Sequence, residues 1–350
     1  MQDIAIGNQV VSENRAPLIV AELSGNHNGS LSRALQLVEA AAEAGANAIK
    51  IQTYTPDTMT LDICEREFVI NDESSPWRGR SLHDLYREAQ TPWEWHRPIF
   101  GRANALGLVA FSTPFDISAV EFLESLAVPA YKIASFEITD LPLVERVAAT
   151  GRPVIISTGM ATAGEIETAV MTVRRAGNDQ VILLKCSSSY PASPSESNLR
   201  TIPHMRELFN AHVGLSDHTL GVGAALAAVA LGAGVIEKHL TLSRADGGVD
   251  AAFSLEPAEM ALLVKETRSA WESLGHVSYG ATGREVRSLR LRRSLYVVDD
   301  LRAGDLLTSQ NTRRVRPALG LPPAQYELVL GKRVNRDDKR GTPLTWDLIG

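Results

Sequence analysis

The sequence predicts an α/β protein in which a (β/α)8 barrel is followed by a small β-rich domain. Eight short apolar runs alternate with helical patterns over roughly the first 275 of the 350 residues, which matches the number and length of units in such a barrel. Polar residues follow each apolar run. After residue 274 the composition changes to short β-type runs with Gly and Pro turns. The predicted architecture is therefore a TIM barrel with a separate tail.

The eight apolar runs are the predicted barrel strands. They span residues 18–23, 48–53, 108–112, 130–134, 154–157, 181–186, 212–215 and 234–238. Helices are expected between them, for example at 32–44, 93–106, 117–126, 141–149 and 163–176. Around the first helix Leu31, Leu35 and Val38 recur with the period of a helix that packs one face on a sheet. A doubly wound open sheet would not need eight near-regular units, and no G-x-G-x-x-G motif follows the first strand.

Composition and charge limit the function classes. The hydrophobic content of 44% is ordinary for a soluble globular protein, and the net charge of −6 argues against general nucleic-acid binding. No run approaches the length of a membrane-spanning helix, and the N-terminus lacks the pattern of a signal peptide. Cys64 and Cys186 form no disulfide framework, and Cys186, at the end of an apolar run, is expected to be a core residue. We expect a cytoplasmic protein with neither a nucleic-acid nor a membrane partner.

Two histidines occupy matching positions at the ends of the last two predicted strands. His218 follows Asp217, and His239 lies two residues after Glu237. Because neighbouring parallel strands point the same way, both imidazoles should emerge at the carboxyl edge of the barrel. Two imidazoles at one edge suit a divalent ion such as Mn²⁺, Co²⁺ or Zn²⁺. Two hydrogen-bonded strand-end histidines with no metal are an equally good interpretation of the residues alone.

All eight strand ends carry polar residues, and the active sites of these barrels lie at that face. They are Glu22, Lys50, Gln52, Ser112, Thr113, Lys132, Ser135, Glu137, Ser157, Thr158, Lys185, Ser187, Ser188, Tyr190, Ser216, Asp217, His218, Glu237 and His239. Three of them are lysines, Lys50, Lys132 and Lys185, which together with the hydroxyls predict a site for a phosphate and a carboxylate.

Several chemistries remain open at this point. A Schiff-base aldolase would need one lysine among apolar neighbours and no metal. A metal-dependent hydrolase would need more ligands than two histidines, and a non-catalytic carbohydrate-binding protein would depend on the tail. The combination of anion site, histidine pair and Glu22 favours a phosphorylated nucleophile that attacks a metal-polarised aldehyde.

Two segments lie outside the repeating pattern. The insert at 54–91, which contains Trp77, is too long for a simple loop, and we expect either an extra helix or a lid over a sugar. Residues 1–275 should form the barrel domain, 276–288 a linker and 289–350 the small domain. Because a domain of this size has only a small hydrophobic core, we expect it to dock on its own barrel or on that of a partner.

Eight motifs resemble the sialic acid synthase family in order and spacing. They are A-E-L-S-G-N-H-N-G, A-I-K-I-Q-T-Y, F-S-T-P-F-D, Y-K-I-A-S-F-E, I-S-T-G-M, L-K-C-S-S-S-Y-P, G-L-S-D-H-T and V-I-E-K-H-L-T. The tail resembles the antifreeze-like (SAF) domain of that family. Within the family, T-Y-T-P-D-T-M-T-L, W-R-G-R-S-L-H-D-L-Y and T-P-W-E-W-H resemble the pseudaminic acid branch more than the N-acetylneuraminate branch. The resemblance implies condensation of phosphoenolpyruvate (PEP) with an acetamido sugar to a nonulosonic acid, with N-acetylneuraminate or legionaminate synthesis as the alternative.

The resemblance also implies roles for individual residues. His218 and His239 would be metal ligands, for Mn²⁺ first and for Mg²⁺ or Co²⁺ as alternatives, and with Glu22 they would be catalytic. The implied PEP-binding residues are Lys50, Gln52, Thr113, Lys132, Ser135, Ser157, Ser188 and Ser216. The implied sugar-binding residues are Glu137, Tyr190, Asp250 and Arg316. Arg316 would reach the sugar site of a partner subunit, which implies a homodimer with a domain-swapped C-terminal domain.

Overall fold

The computed structural model describes residues 1–73, 75 and 77–350. The chain forms two compact units, Met1–Gly275 and His276–Gly350.

The first unit is built on a closed eight-stranded parallel barrel, which confirms the predicted fold class. Its strands are β3 (Leu18–Glu22), β4 (Ala48–Thr53), β5 (Val109–Pro114), β6 (Tyr131–Ile133), β7 (Val154–Ser157), β8 (Val181–Cys186), β9 (His212–Asp217) and β10 (Val235–His239). They are adjacent in chain order, and β10 pairs with β3 to close the barrel. The helices around it are α1 (Leu31–Glu43), α4 (His96–Ala105), α5 (Ile117–Ser125), α6 (Leu141–Ala148), α7 (Ala163–Arg175), α8 (Thr201–Phe209), α9 (Gly223–Ala230) and α10 (Pro257–Leu274).

Strand alternation divides the core into two layers. Outward residues such as Ile49, Ile133 and Ile236 pack against the helices, as the two-residue period of a strand requires. Inward residues such as Ala48 and Val235 fill the lower part of the barrel. Toward the carboxyl ends, the inward positions become polar.

A β-hairpin that the sequence patterns do not predict closes the lower end of the barrel. It consists of β1 (Ile4–Ile6) and β2 (Gln9–Val11), which pair antiparallel. Ile4, Ile6 and Val11 join the same apolar cluster as the inward residues of the barrel. The residues expected to be a short lead therefore cover the bottom of the barrel.

The insert between β4 and β5 contains the short helices α2 (Pro56–Met59) and α3 (Leu82–Ala89). The predicted helix at 93–106 is divided into a 3-10 turn, Trp93–Trp95, and α4. Ser74 and Pro76, which the predicted insert includes, lie outside the described residues.

The second unit has its own small core. Strands β11 (Ser294–Val297) and β12 (Thr312–Val315) pair antiparallel, and α11 (Tyr326–Val329) packs with them around residues such as Leu295, Leu307 and Leu344. The last residues of the predicted linker belong to a 3-10 helix, Glu285–Leu291. In the described part of the chain no helix has the length and apolar character needed to cross a membrane.

Candidate active site

The polar layer at the top of the barrel is a continuous buried cluster. Lys50 and Gln52 follow Ala48 on the inward face of β4, and Glu237 and His239 follow Val235 on that of β10. Because residues two apart on a strand share a face, each apolar inward position fixes the direction of the polar residues above it.

Glu22 is the centre of one half of this cluster. Its carboxylate forms a buried ion pair with Lys50 and accepts hydrogen bonds at Oε1 from Gln52 Nε2, at 3.2 Å, and from the Ser24 backbone N–H, at 3.1 Å. Burial raises the pKa of Glu22 above its ordinary value even though the Lys50 ammonium acts in the opposite direction. Lys50 Nζ also donates to Thr113 Oγ1 at 3.3 Å. A buried carboxyl with a raised pKa is suited to exchange a proton during a reaction.

Lys132 and Glu237 form the other half. Lys132 Nζ donates to Ser157 Oγ at 2.6 Å, and the Glu237 carboxylate lies 3.7 Å from Lys50 Nζ and 3.8 Å from Lys132 Nζ. Ser216 Oγ donates to the same carboxylate at 3.1 Å. Burial alone would raise the pKa of Glu237, but the two ammonium groups outweigh it and lower that pKa. Glu237 therefore holds two lysines close together despite their like charge.

Two hydroxyls, those of Ser135 and Ser188, lie close to the backbone of Gly159. The Gly159 N–H donates to Ser135 Oγ at 3.1 Å. A Cβ atom at this glycine would overlap the Ser188 hydroxyl and lie 2.8 Å from that of Ser135. We call Lys50, Lys132, Ser135, Ser157, Gly159 and Ser188 the anion cradle.

One predicted member of the cradle is absent from it. Lys185 lies on the outward face of β8 with Val181 and Leu183, and its Nζ donates to the Cys186 carbonyl at 2.8 Å. The inward residue at this level is Cys186. The prediction of three lysines in the barrel mouth is wrong for Lys185. Side chains alternate along the strand, and the side chain of Lys185 points outward.

The two histidines lie side by side, with ring centroids 5.3 Å apart. His218 Nδ1 donates to the Ser187 carbonyl at 2.9 Å, and His239 Nδ1 lies 3.2 Å from Ser24 Oγ. Burial and the neighbouring positive charges hold the pKa of His239 well below its usual range, which keeps this imidazole neutral. Cys186, expected to be a simple core residue, has its Sγ 3.9 Å from His218 Nδ1.

This arrangement suits metal binding at Nε2. Ligating histidines commonly engage their other ring nitrogen with a carbonyl or another polar group, which orients the ring. Among the described residues no cluster of three or more His, Cys, Asp or Glu side chains is arranged to hold a metal ion. The two neighbouring imidazoles could serve as two ligands of a divalent ion.

The predicted sugar-side residues border the histidines. The Tyr190 ring lies 4.6 Å from that of His218, and Asp250 Oδ2 lies 3.9 Å from His239 Nδ1. Burial raises the pKa of Asp250 and raises that of Glu137 to about 7. No hydrogen-bond donor among the described residues reaches Glu137 Oε2.

Arg316 belongs to the second unit, in the segment that follows β12, and its side chain is exposed. The other predicted site residues lie together in the first unit, whereas Arg316 lies in the second unit.

Three residues of the cluster were given no role from the sequence. Glu237 was counted among the polar strand ends, and a role could have been inferred because it lies two positions before His239 and so shares its inward face. Gly159 and Ser24 gave no such signal. Their importance depends on contacts with Ser135, Ser188 and His239, which only the folded barrel creates.

Comparison with known proteins identifies the family. The model of the NeuB family matches residues 37–279, and that of the SAF domain matches residues 292–350. The chain belongs to the NeuB family. The predicted resemblance to sialic acid synthases with an antifreeze-like tail is confirmed.

Several NeuB relatives match nearly the whole chain. A pseudaminic acid synthase of Campylobacter jejuni is 41% identical over 339 residues, which are 97% of this chain and 98% of the relative. An N,N'-diacetyllegionaminic acid synthase of Legionella pneumophila is 36% identical over 95% of this chain and 94% of its own length. The crystal structure of an N-acetylneuraminic acid synthetase from Leptospira borgpetersenii, in complex with citrate, superposes with a TM-score of 0.73 at 35% identity, and the match covers 82% of this chain and 95% of that one.

Proposed function

We propose that this NeuB protein is a pseudaminic acid synthase, which condenses PEP with 2,4-diacetamido-2,4,6-trideoxy-L-altrose and releases phosphate. The observation that carries the chemistry is the placement of Glu22 against Lys50 of the anion cradle, within one cluster with the histidine pair. The 41% identity to pseudaminic acid synthases over 97% of the chain supports the choice of sugar.

The cradle binds PEP through its charges and hydroxyls. Lys50 and Lys132 are buried cations, and buried ammonium groups attract an anion more strongly than exposed ones. The hydroxyls of Ser135, Ser157 and Ser188, with the Thr113 and Ser216 hydroxyls and the Gln52 amide nearby, provide donors for phosphate and carboxylate oxygens. Such a site can hold both anionic groups of PEP at once.

His218 and His239 would hold the divalent ion, with Mn²⁺ as the first choice and Mg²⁺ or Co²⁺ as alternatives. The bound ion would supply Lewis-acid polarisation of the sugar aldehyde. The chain itself contributes the neutral imidazole of His239 and the fixed orientation of His218 through the Ser187 carbonyl.

The proton transfers depend on Glu22. The enol carbon C3 of PEP forms a bond to the aldehyde carbon, and the protonated form of Glu22, which burial favours, gives its proton to the aldehyde oxygen. Water then adds to the cationic C2 and returns one proton to Glu22. When the C2–O bond to phosphate breaks, the remaining hydroxyl proton of C2 leaves with the phosphate and C2 becomes a ketone. Protons and charge therefore balance over one turnover.

We further propose that the working unit is a homodimer in which the tail domain of one subunit serves the barrel of the other. The tail has its own core, and Arg316 is exposed on it. A guanidinium presents a rigid fork of donors, which suits an acetamido carbonyl or a sugar hydroxyl.

The alternative sugars are those of legionaminate and N-acetylneuraminate synthesis. The 36% identity to a legionaminic acid synthase supports the first of these alternatives. Phosphate release should be measured with PEP and, in turn, the trideoxy-L-altrose sugar, the corresponding mannose derivative and N-acetylmannosamine. We expect the highest kcat/KM with the first. Phosphate release without any sugar, or a preference for another sugar, would contradict the proposal.

The histidine pair gives a direct test of the metal site. His218→Ala and His239→Ala should each lower metal-dependent kcat by about a thousandfold or more and reduce the Mn²⁺ bound per chain, with an unchanged circular dichroism spectrum. His204→Ala, at an exposed position on α8, is the matched control. Normal metal content and normal turnover in either site variant would exclude the pair as ligands.

A further inference from the structure

The long insert after β4 reaches the active site with the side chain of Trp77. The indole N–H of Trp77 donates to the Val249 carbonyl at 2.9 Å, directly before Asp250. The Trp77 ring also lies 5.9 Å from the ring of Tyr190, inclined by 50°. Trp77 thus contacts two segments that carry predicted sugar-side residues.

These contacts extend an aromatic wall toward the histidines. Tyr190 lies 5.2 Å from Phe253 and 4.6 Å from His218, and Phe253 lies 5.0 Å from His239, all between ring centroids. The wall of Trp77, Tyr190 and Phe253 therefore runs from the insert to the proposed metal ligands. The cradle lysines, Lys50 and Lys132, lie in the polar cluster around Glu22 and Glu237. The wall is therefore aromatic, whereas the cradle is charged.

Backbone hydrogen bonds join the residues on either side of Trp77. Gly79 N–H donates to the Ile70 carbonyl at 2.7 Å, and Ile70 N–H donates to the Arg80 carbonyl at 3.0 Å. The side chain of Trp77 is half-buried, whereas that of the next residue, Arg78, is exposed. The indole is therefore positioned by the loop as well as by its bond to Val249.

The hydrogen bond to Val249 decides what Trp77 can recognise. An indole has one polar donor, and in Trp77 that donor is already engaged. The ring can therefore offer a ligand only apolar contact, and a ligand hydroxyl turned toward it would lose its bonds to water without replacement. A methyl group would lose nothing at the same place.

We infer that Trp77 is a specificity-determining residue that selects sugars with an apolar methyl group, in place of a hydroxymethyl group, at the end of the chain remote from the aldehyde. This inference rests on the proposed function, because the trideoxy sugar carries a methyl group at C6 where N-acetylmannosamine carries a hydroxymethyl group. It assigns to the insert a role in sugar choice and leaves PEP binding to the cradle.

The test compares Trp77→Ala, Trp77→Phe and the neighbouring control Arg78→Ala. In Trp77→Ala we expect the KM for the 6-deoxy sugar to rise about tenfold and the preference over N-acetylmannosamine to fall by a similar factor, which is the usual scale for one apolar group in a pocket. The KM for PEP and the melting temperature should not change. Trp77→Phe keeps an apolar ring and should retain most of the preference, and Arg78→Ala should behave as the wild type.

The possible failures are distinguishable. If the wild type turns over no acetamido sugar, the proposed function is wrong and the inference falls with it. If the wild type is active but Trp77→Ala keeps the same sugar KM and the same preference, only the inference is wrong. A parallel rise in the KM for PEP, or a lower melting temperature in both Trp77 variants, would show that Trp77 supports the fold and does not select the sugar.

Discussion

Glu22 is surrounded by groups that act on its charge in opposite directions. Burial and the carboxylate of Glu237 raise its pKa, whereas Lys50 and the Gln52 amide lower it. The net result is a carboxyl that can both release and accept a proton within the barrel. An exposed carboxylate with an ordinary pKa would release its proton too early to act as an acid near neutral pH.

Glu22→Gln should therefore stop catalysis and spare PEP binding. The substitution is nearly isosteric, and the amide oxygen can still accept from the Ser24 N–H, but no proton can be exchanged. We expect kcat to fall by about two to four orders of magnitude. Calorimetric titration with PEP and a rate assay on the same preparation are the measurements. A variant that retains a tenth or more of the wild-type rate would make Glu22 a structural residue.

Glu137 provides a test through pH. Burial raises its pKa from 4.5 to about 7, so between these values the folded state binds more protons than the unfolded state. Stability should accordingly fall as pH rises through this range, by about 3 kcal/mol for the full shift. Glu137→Gln should remove this slope and be more stable than the wild type at pH 8.

Chemical denaturation at pH 5 and pH 8 measures the effect. Glu167→Gln, at an exposed position on α7, is the control and should keep the wild-type slope. Equal pH slopes for Glu137→Gln and the wild type would show that Glu137 ionises normally.

For single residues, a correct prediction required knowing which face of the strand the residue lies on. His218, His239, Lys50 and Lys132 were placed correctly at the barrel mouth because each lies near the end of a clear apolar run. Lys185 was misplaced because every other residue of the run 181–186 is apolar or small, so the run has no alternation to show which face is inward.

At the scale of elements, the loop after β7 is as important as the side chains around it. Gly159 brings its backbone between the hydroxyls of Ser135 and Ser188. The absence of a side chain there leaves room for these two hydroxyls, and the Gly159 N–H donates to that of Ser135.

Gly159→Ala should obstruct the cradle. The added methyl group would displace Ser188 or Ser135, and such overpacking costs about 1–3 kcal/mol, so we expect the KM for PEP to rise about ten- to a hundredfold. The sugar KM should change much less. Gly164→Ala is the control, because a Cβ there meets no atom within 4 Å. Unchanged PEP affinity in Gly159→Ala would remove this loop from the proposed PEP site.

The predicted elements differ in how well the sequence specified them. The eight strands were located within about two residues because each apolar run is bounded by Gly or polar turns. The N-terminal hairpin was missed because three-residue strands are too short to show a period. Its place at the bottom of the barrel depends on packing between residues far apart in the chain, since Ile6 and Phe111 belong to the same apolar cluster.

For the whole molecule, the proposed exchange of tail domains makes two subunits interdependent. Deletion of residues 289–350 should eliminate sugar turnover. Arg316→Ala should raise the sugar KM and have little effect on the KM for PEP, and Arg313→Ala, at another exposed arginine of the tail, is the control.

Complementation distinguishes exchange from action within one chain. In a mixed dimer of Arg316→Ala and Glu22→Gln subunits, exchange would combine one intact barrel with one intact tail and restore partial activity. The two proteins should be co-expressed with different tags and the mixed dimers purified before the assay. If verified mixed dimers show no more activity than the sum of the two parents, the tail serves its own barrel or none.

The pairing of β10 with β3 has a consequence for biosynthesis. The contact between Ser24 and His239 joins residues 215 positions apart. The ribosome must therefore release β10, which carries His239, before β3 gains its neighbour on that side. Until then one edge of β3 is open to pairing with other chains. Nascent chains that stop before residue 235 should therefore be the species most dependent on chaperones. The proton transfer proposed for Glu22 would then begin only after this last strand has entered the sheet.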